Sequence, residues 1–128
     1  MTRTKVFRHI FKFHGFFESV ACASKGLYYL FLYHRNMRII FMLGIAAFMA
    51  GILLQLKGIE LVALCVTITL VFVAEIFNTS IEMLMDMLTA KYHIRIKLIK
   101  DIAAGIVVLT CLNAIAVGYI LLFKKLFK

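Results

Sequence analysis

Proline and tryptophan are both absent from the 128 residues. Without proline, no apolar run carries a built-in breaker, and a helix is the default for each long one. Acids are scarce: six Asp and Glu stand against fifteen Lys and Arg, a net charge of +9. Charged residues are only 16% of the chain and hydrophobic ones 64%, above the roughly 45–50% of soluble domains. The chain is therefore membrane-embedded. The basic residues flank apolar runs, as topology and anionic headgroups explain, which argues against a nucleic-acid partner. Cys22, Cys65 and Cys111 lie far apart with no CxxC or CxxxH spacing, so they exclude a disulfide framework or zinc site and read as small buried hydrophobes. No GxxxxGK[ST] or glycine-rich phosphate loop occurs, so any nucleotide is held without a known soluble nucleotide fold. A cleavable signal peptide is not expected, because HIFKFHGFFESV interrupts the early apolar run with charge.

What the chain does have is long apolar runs. Residues 39–56 are eighteen without charge and residues 102–123 are twenty-two, against the roughly 20 that cross a bilayer. A third run begins near Glu60, stays apolar to Ala74, then meets the polar stretch EIFNTSIEMLMD. It still reads as a helix, because the nearest glycine, Gly58, falls in the preceding turn. Only LKGI joins the first two runs, which makes a tight hairpin. The predicted fold is an all-α membrane protein of one domain, 1–128. An N-terminal amphipathic surface helix region (1–36) precedes transmembrane helices at 37–56, 60–86 and 101–123. Lys5, Arg8 and Lys12 share one helical face in that first region, with Phe7, Ile10 and Phe11 on others, the pattern of a helix lying on a membrane surface.

Orientation follows from the basic residues. Seven Lys and Arg precede residue 39 and four lie between the second and third spans (Lys91, Arg95, Lys97, Lys100), which makes that side cytoplasmic, with the N-terminus, in the inner (cytoplasmic) membrane. The opposite side holds Lys57 and the tail's Lys124, Lys125 and Lys128, a mild conflict with the rule. Small residues recur four apart at Ala46/Ala50, Ala47/Gly51 and Ala114/Gly118, spacings that let helices approach closely.

An acid in hydrocarbon is costly, which makes EIFNTSIEMLMD the candidate site. At about 100° per residue, Glu75, Asn78, Glu82 and Asp86 fall within an arc of about 80° on one face. Thr79 and Ser80 lie off it and can bond back to the backbone. With entry near Glu60, Glu75 lies about 22 Å in and Glu82 about 33 Å in, at roughly 1.5 Å per residue. Against a core of roughly 30 Å, the stripe ends at cytoplasmic headgroup level, where a lipid hydroxyl and a water-soluble reagent can meet. Carboxylates with a side-chain amide beside basic residues suit Mg²⁺ and its bound phosphates. A carboxylate partly sunk in apolar surroundings suits a general base. The same stripe also fits a cation or proton path, or a structural network between helices. Asp101 has a routine reading as an acid at the start of the third span.

The stretch Glu75–Asp86 resembles the signature E-x-x-N-[ST]-[AS]-I-E-x-x-x-D of the small prokaryotic membrane lipid kinases, the diacylglycerol kinase and undecaprenol kinase family. SVACASKGLYYLFLYHRNMR is similar to that family's S-F-x-x-A-x-x-G-[IL]-x(7)-E-R-N-x-R. Glu60, the Tyr92–His93 pair and KDIAAGIVVL at 100–109 also match, so the likeness covers residues 19 to about 110. The resemblance implies transfer of the γ-phosphoryl group of ATP, with Mg²⁺, to a membrane lipid hydroxyl, that of diacylglycerol or undecaprenol, by a homotrimer with shared sites. It implies Glu75 as the general base and Glu82 as a metal ligand. Asn78, Asp86, Lys100 and Asp101 would be polar groups toward ATP, with Gly26 of the surface-helix motif approaching the nucleotide. His34 stands where the family has the metal-binding glutamate of E-R-N. Either His34 binds a softer metal such as Mn²⁺, or Glu82 and phosphates hold the metal alone, or activity is reduced. Gly15 replaces an arginine of the diacylglycerol branch, and HRN is nearer the undecaprenol-kinase form. Two rivals stand beside the kinase: an impaired relative serving as a membrane scaffold, and a small cation or proton carrier.

Overall fold

A computed structural model describes residues 15–88 and 94–127. The basic face at Lys5, Arg8 and Lys12 and the Lys91–Tyr92–His93 segment lie outside the described residues. Those residues form four helices and no strand: α1, Phe16–Tyr33; α2, Arg35–Leu53; α3, Ile59–Leu88; and α4, Ile94–Leu126. The chain divides into two units, residues 1–33 and 34–128. In the first, α1 is short and amphipathic, with Glu18 and Lys25 seven residues apart on one face. In the second, α3 is the shared helix and packs against both α2 and α4. All three are long and apolar enough to span a membrane.

Helix α2 stops three residues before the end that its apolar run predicts. The Gln55 N–H donates to the Ile52 carbonyl (3.0 Å) and the Leu56 N–H to the Gly51 carbonyl (3.0 Å). This is the Schellman pairing, and it needs a left-handed residue between cap and exit. Gln55 takes that place with φ 61°, where glycine is usual. Leu56 then folds back beside Gly51 and joins Leu64 and Leu121 in the core at this end of the bundle. Gly58, also at φ 61°, turns the chain into α3, and its carbonyl accepts the Val62 N–H (3.1 Å).

Helix α4 differs most from expectation, since it starts at Ile94 rather than 101. Loss of hydrophobicity marks the membrane boundary there, not the helix boundary. No glycine or proline interrupts residues 94–104, and a Lys97–Asp101 ion pair (2.7 Å) reinforces the turn at i, i+4. Arg95, Lys97 and Lys100 are thus helical, and Asp101 sits in the third turn. That is too far in for the helix-dipole account of Asp101, whose effect fades within the first turn.

The buried set is small, as a bundle in hydrocarbon requires. Cys22 and Cys65 are exposed and Cys111 half-buried, which corrects the reading of all three as buried. Cys65 and Cys111 lie in membrane-spanning helices, where an apolar thiol can face lipid at no cost. Of the small residues, Gly51 and Gly44 face α3 closely: a Cβ on Gly51 would lie 2.5 Å from Leu64 Cδ2, and one on Gly44 3.2 Å from Ile68 and Phe72. Gly118 has open space on its side. At the C-terminal end of α4, Tyr119, Phe123 and Phe127 stack in an exposed column (centroids 5.8 and 4.7 Å apart).

Candidate active site

The 3.6-residue period puts Glu75, Asn78, Glu82 and Asp86 along one side of α3, and the structure grades them by depth. Glu75 is 4% exposed and Asn78 8%, while Glu82 and Asp86 are exposed. The Asn78 amide donates from Nδ2 to Glu82 Oε1 (3.3 Å), one turn apart. Its Oδ1 is buried with no hydrogen-bond partner. Leaving such an acceptor unmade typically costs about 1–3 kcal/mol, the kind of deficit that a bound group relieves. Ser80 donates to the Ile76 carbonyl (2.8 Å), the back-bond that keeps it off the stripe.

Glu75 is met from α2. Asn36, in the first turn of that helix, is placed to hydrogen-bond its carboxylate, and its charged or titratable neighbours are Glu82 and His34. Asn36 was not among the predicted site residues. It lies thirty-nine positions from Glu75, so no spacing rule joins them. The one available signal was its place in the HRN triplet. His34 is the extended N-cap residue of α2 (φ −115°, ψ 110°), half-buried, and its side chain makes no cap hydrogen bond. It is a neighbour of the buried base as well as a candidate ligand.

Farther out, the sequence joined Lys100 with Asp101, but the helices pair them differently. Lys100 Nζ reaches across to Asp86 Oδ1 of α3 (2.6 Å), and Asp101 Oδ2 takes Lys97 Nζ (2.7 Å). Three residues are just under one turn, so Lys97 and Lys100 sit on neighbouring turns of one face of α4. Gly26 lies mid-way along α1 in the first unit, with nothing within 4 Å of where its Cβ would be.

The donor set bears on a metal. Among the described residues no three His, Cys, Asp or Glu side chains come together to hold one. What is present is oxygen: Glu82, Glu75 and the unpartnered Asn78 Oδ1. This fits Mg²⁺, which usually takes one or two protein carboxylates and completes its shell with waters and phosphates. On the membrane side of Glu75, an apolar cleft of about 390 Å³ opens between α2, α3 and α4. Val71 and Phe72 line it one turn from Glu75, and Ile40 one turn from Asn36.

The model of the prokaryotic diacylglycerol kinase family matches residues 21–122. The chain belongs to that family. It is 38% identical over 105 residues to a diacylglycerol kinase of Synechocystis sp., covering 81% of this chain and 60% of that protein. It is 31% identical over 111 residues to an undecaprenol kinase of Bacillus subtilis, covering 87% and 90%. The chain thus spans about three-fifths of the length of the first relative and nearly all of the second. The match takes in α2 and α3 whole, and with them every residue of the polar cluster.

Proposed function

We propose that this family member is a membrane lipid kinase, which transfers the γ-phosphoryl group of ATP to the hydroxyl of diacylglycerol or undecaprenol. One observation carries the reading. A buried carboxylate, Glu75, stands between an apolar cleft on one side and, on the other, a buried carboxamide, Asn78, that leads to the exposed carboxylate of Glu82. That is where a lipid alcohol and a phosphorylated water-soluble donor have to meet.

In this reading the lipid chain occupies the cleft and its hydroxyl lies at Glu75. Glu75 accepts the hydroxyl proton as the lipid oxygen attacks the γ-phosphorus. The bond from that phosphorus to the bridging oxygen breaks, and ADP leaves. Asn36 keeps the Glu75 carboxylate turned toward the cleft. Glu82, steadied by Asn78, would hold Mg²⁺, with Asn78 Oδ1 as a further oxygen donor. The ion supplies charge neutralisation to the phosphates, which with positioning is most of what phosphoryl transfer requires. Lys100 and Lys97 offer point charges to the outer phosphates, released from Asp86 and Asp101. The family resemblance supports a homotrimer, Gly26 near the nucleotide, and an inner-membrane position. The basic residues near the cytoplasmic ends of α2 and α4 support a cytoplasmic N-terminus.

His34 beside Glu75 supports the second reading, a family member of weakened activity that serves as a scaffold. Both are tested by reconstituting the full chain in vesicles with γ-labelled ATP, Mg²⁺ or Mn²⁺, and either lipid. Phosphorylated lipid is expected. Its absence with both metals and both lipids overturns the kinase reading, and a gain in turnover for His34→Glu identifies a weakened metal site. Ion flux without ATP, lost in Glu75→Gln, would instead reveal a carrier.

A further inference from the structure

Six acids serve the whole chain, and of the five in the spanning unit, residues 34–128, only Glu60 lies at the end of the bundle opposite the polar cluster. It is used twice. Oε1 takes Lys124 Nζ (2.9 Å) and Oε2 takes Lys125 Nζ (3.4 Å). Lys125 also donates to the Gln55 carbonyl (3.4 Å), in the left-handed turn that ends α2. Glu60 opens α3, Gln55 follows α2 and the lysines close α4, so three spanning helices converge on one carboxylate. Its side chain is 15% exposed and those of Lys124 and Lys125 are 54% and 28% exposed, so the pairs stay open to screening by salt.

At that end α4 is otherwise held by Leu121, in the core with Leu56 and Leu64, and by Val117 beside it. Its only buried side chains are Ala103 near the inner end and Leu121 near the outer. Between them the apolar cleft separates it from α2, and a smaller cavity of about 120 Å³, lined by Gly51, Leu54, Leu121 and Leu122, continues toward Glu60. Ala47, Leu64 and Gly118 line both, so the two form one groove. We propose that Glu60, Lys124, Lys125 and the Gln55 carbonyl form an interhelical clasp that closes the outer end of this groove and makes α4 its movable wall. The wall is pinned at the inner end by Ala103 and the Lys100–Asp86 pair. Releasing the clasp swings the outer half of α4 away from α2 and opens the groove sideways to the bilayer. The clasp also accounts for two lysines on the side where basic residues are disfavoured: both are matched by an acid.

Hydrogen exchange of the full chain in lipid nanodiscs tests this without reference to kinase activity. Glu60→Gln is expected to speed exchange in residues 119–127 by about fivefold, the scale of a partly exposed ion pair, and to leave residues 94–103 unchanged. Wild-type protein in 1 M NaCl is expected to move the same way, a condition that needs no variant to fold. Full charge reversal, Glu60→Lys with Lys124→Glu and Lys125→Glu, should restore slow exchange. The proposal is overturned if neither Glu60→Gln nor salt changes exchange at the outer end of α4, or if the reversal fails to restore it.

Discussion

Among single residues, Asn78 states the conflict between stability and function most directly. Its amide is satisfied by Glu82, and its carbonyl oxygen is buried with nothing to accept. Such an atom is a deficit in the resting protein, so Asn78→Leu should leave the thermal midpoint in detergent unchanged or higher. Lipid phosphorylation by the same variant should fall by about 10²-fold, the usual scale for removing a group that positions charge. A lower midpoint with full activity would make Asn78 structural. Asn36 tests the second contact. Asn36→Ala should lower kcat by about tenfold with KM for ATP unchanged, because it orients the base and does not touch the donor. The acid stripe was legible in the sequence because i, i+3, i+4 spacing on a helix fixes a face without knowledge of neighbours. Asn36 was not legible, since only the packing of α2 on α3 brings it to Glu75. The exchange of partners among Asp86, Lys97, Lys100 and Asp101 escaped for the same reason: it depends on how far α3 and α4 overlap at their inner ends.

The elements raise a different question, that of which small residues are there for packing. A methyl group on Gly51 meets Leu64 at 2.5 Å, whereas one on Gly118 meets nothing within 4 Å. Gly51→Ala should therefore destabilise by about 1–3 kcal/mol as Leu64 and Leu56 are displaced. Gly118→Ala should be neutral or stabilising by about 0.5–1 kcal/mol through helix propensity alone. Thermal unfolding of the two variants in one detergent checks the contrast, which the sequence could not supply because both glycines sit in the same small-xxx-small spacing. Helix existence and count were readable from apolar length; helix ends were not. Gln55 adopts a glycine conformation without being glycine, and the start of α4 runs past the last apolar residue because the basic segment is itself a good helix.

For the whole molecule, lengths and charges set the frame. At about 1.5 Å per residue, α3 and α4 extend about 45–50 Å, beyond a hydrocarbon core of roughly 30 Å. Their polar ends must reach headgroups and water on both sides, which is where the Lys100–Asp86 pair and the Glu60 clasp lie. With the N-terminus placed inside, a reporter fused after residue 127 should be active only outside the cell; an inside signal would invert the account of both ends. The account rests centrally on a division of labour between Glu75 and Glu82. It is tested most directly by titrating Mg²⁺ in vesicle assays of lipid phosphorylation with the wild type, Glu75→Gln and Glu82→Gln. Glu75→Gln should lose about 10²–10⁴-fold in kcat at every Mg²⁺ concentration, as loss of a general base does, and Glu82→Gln should require far more Mg²⁺ to reach its maximum. Unchanged titration curves for both variants would contradict it.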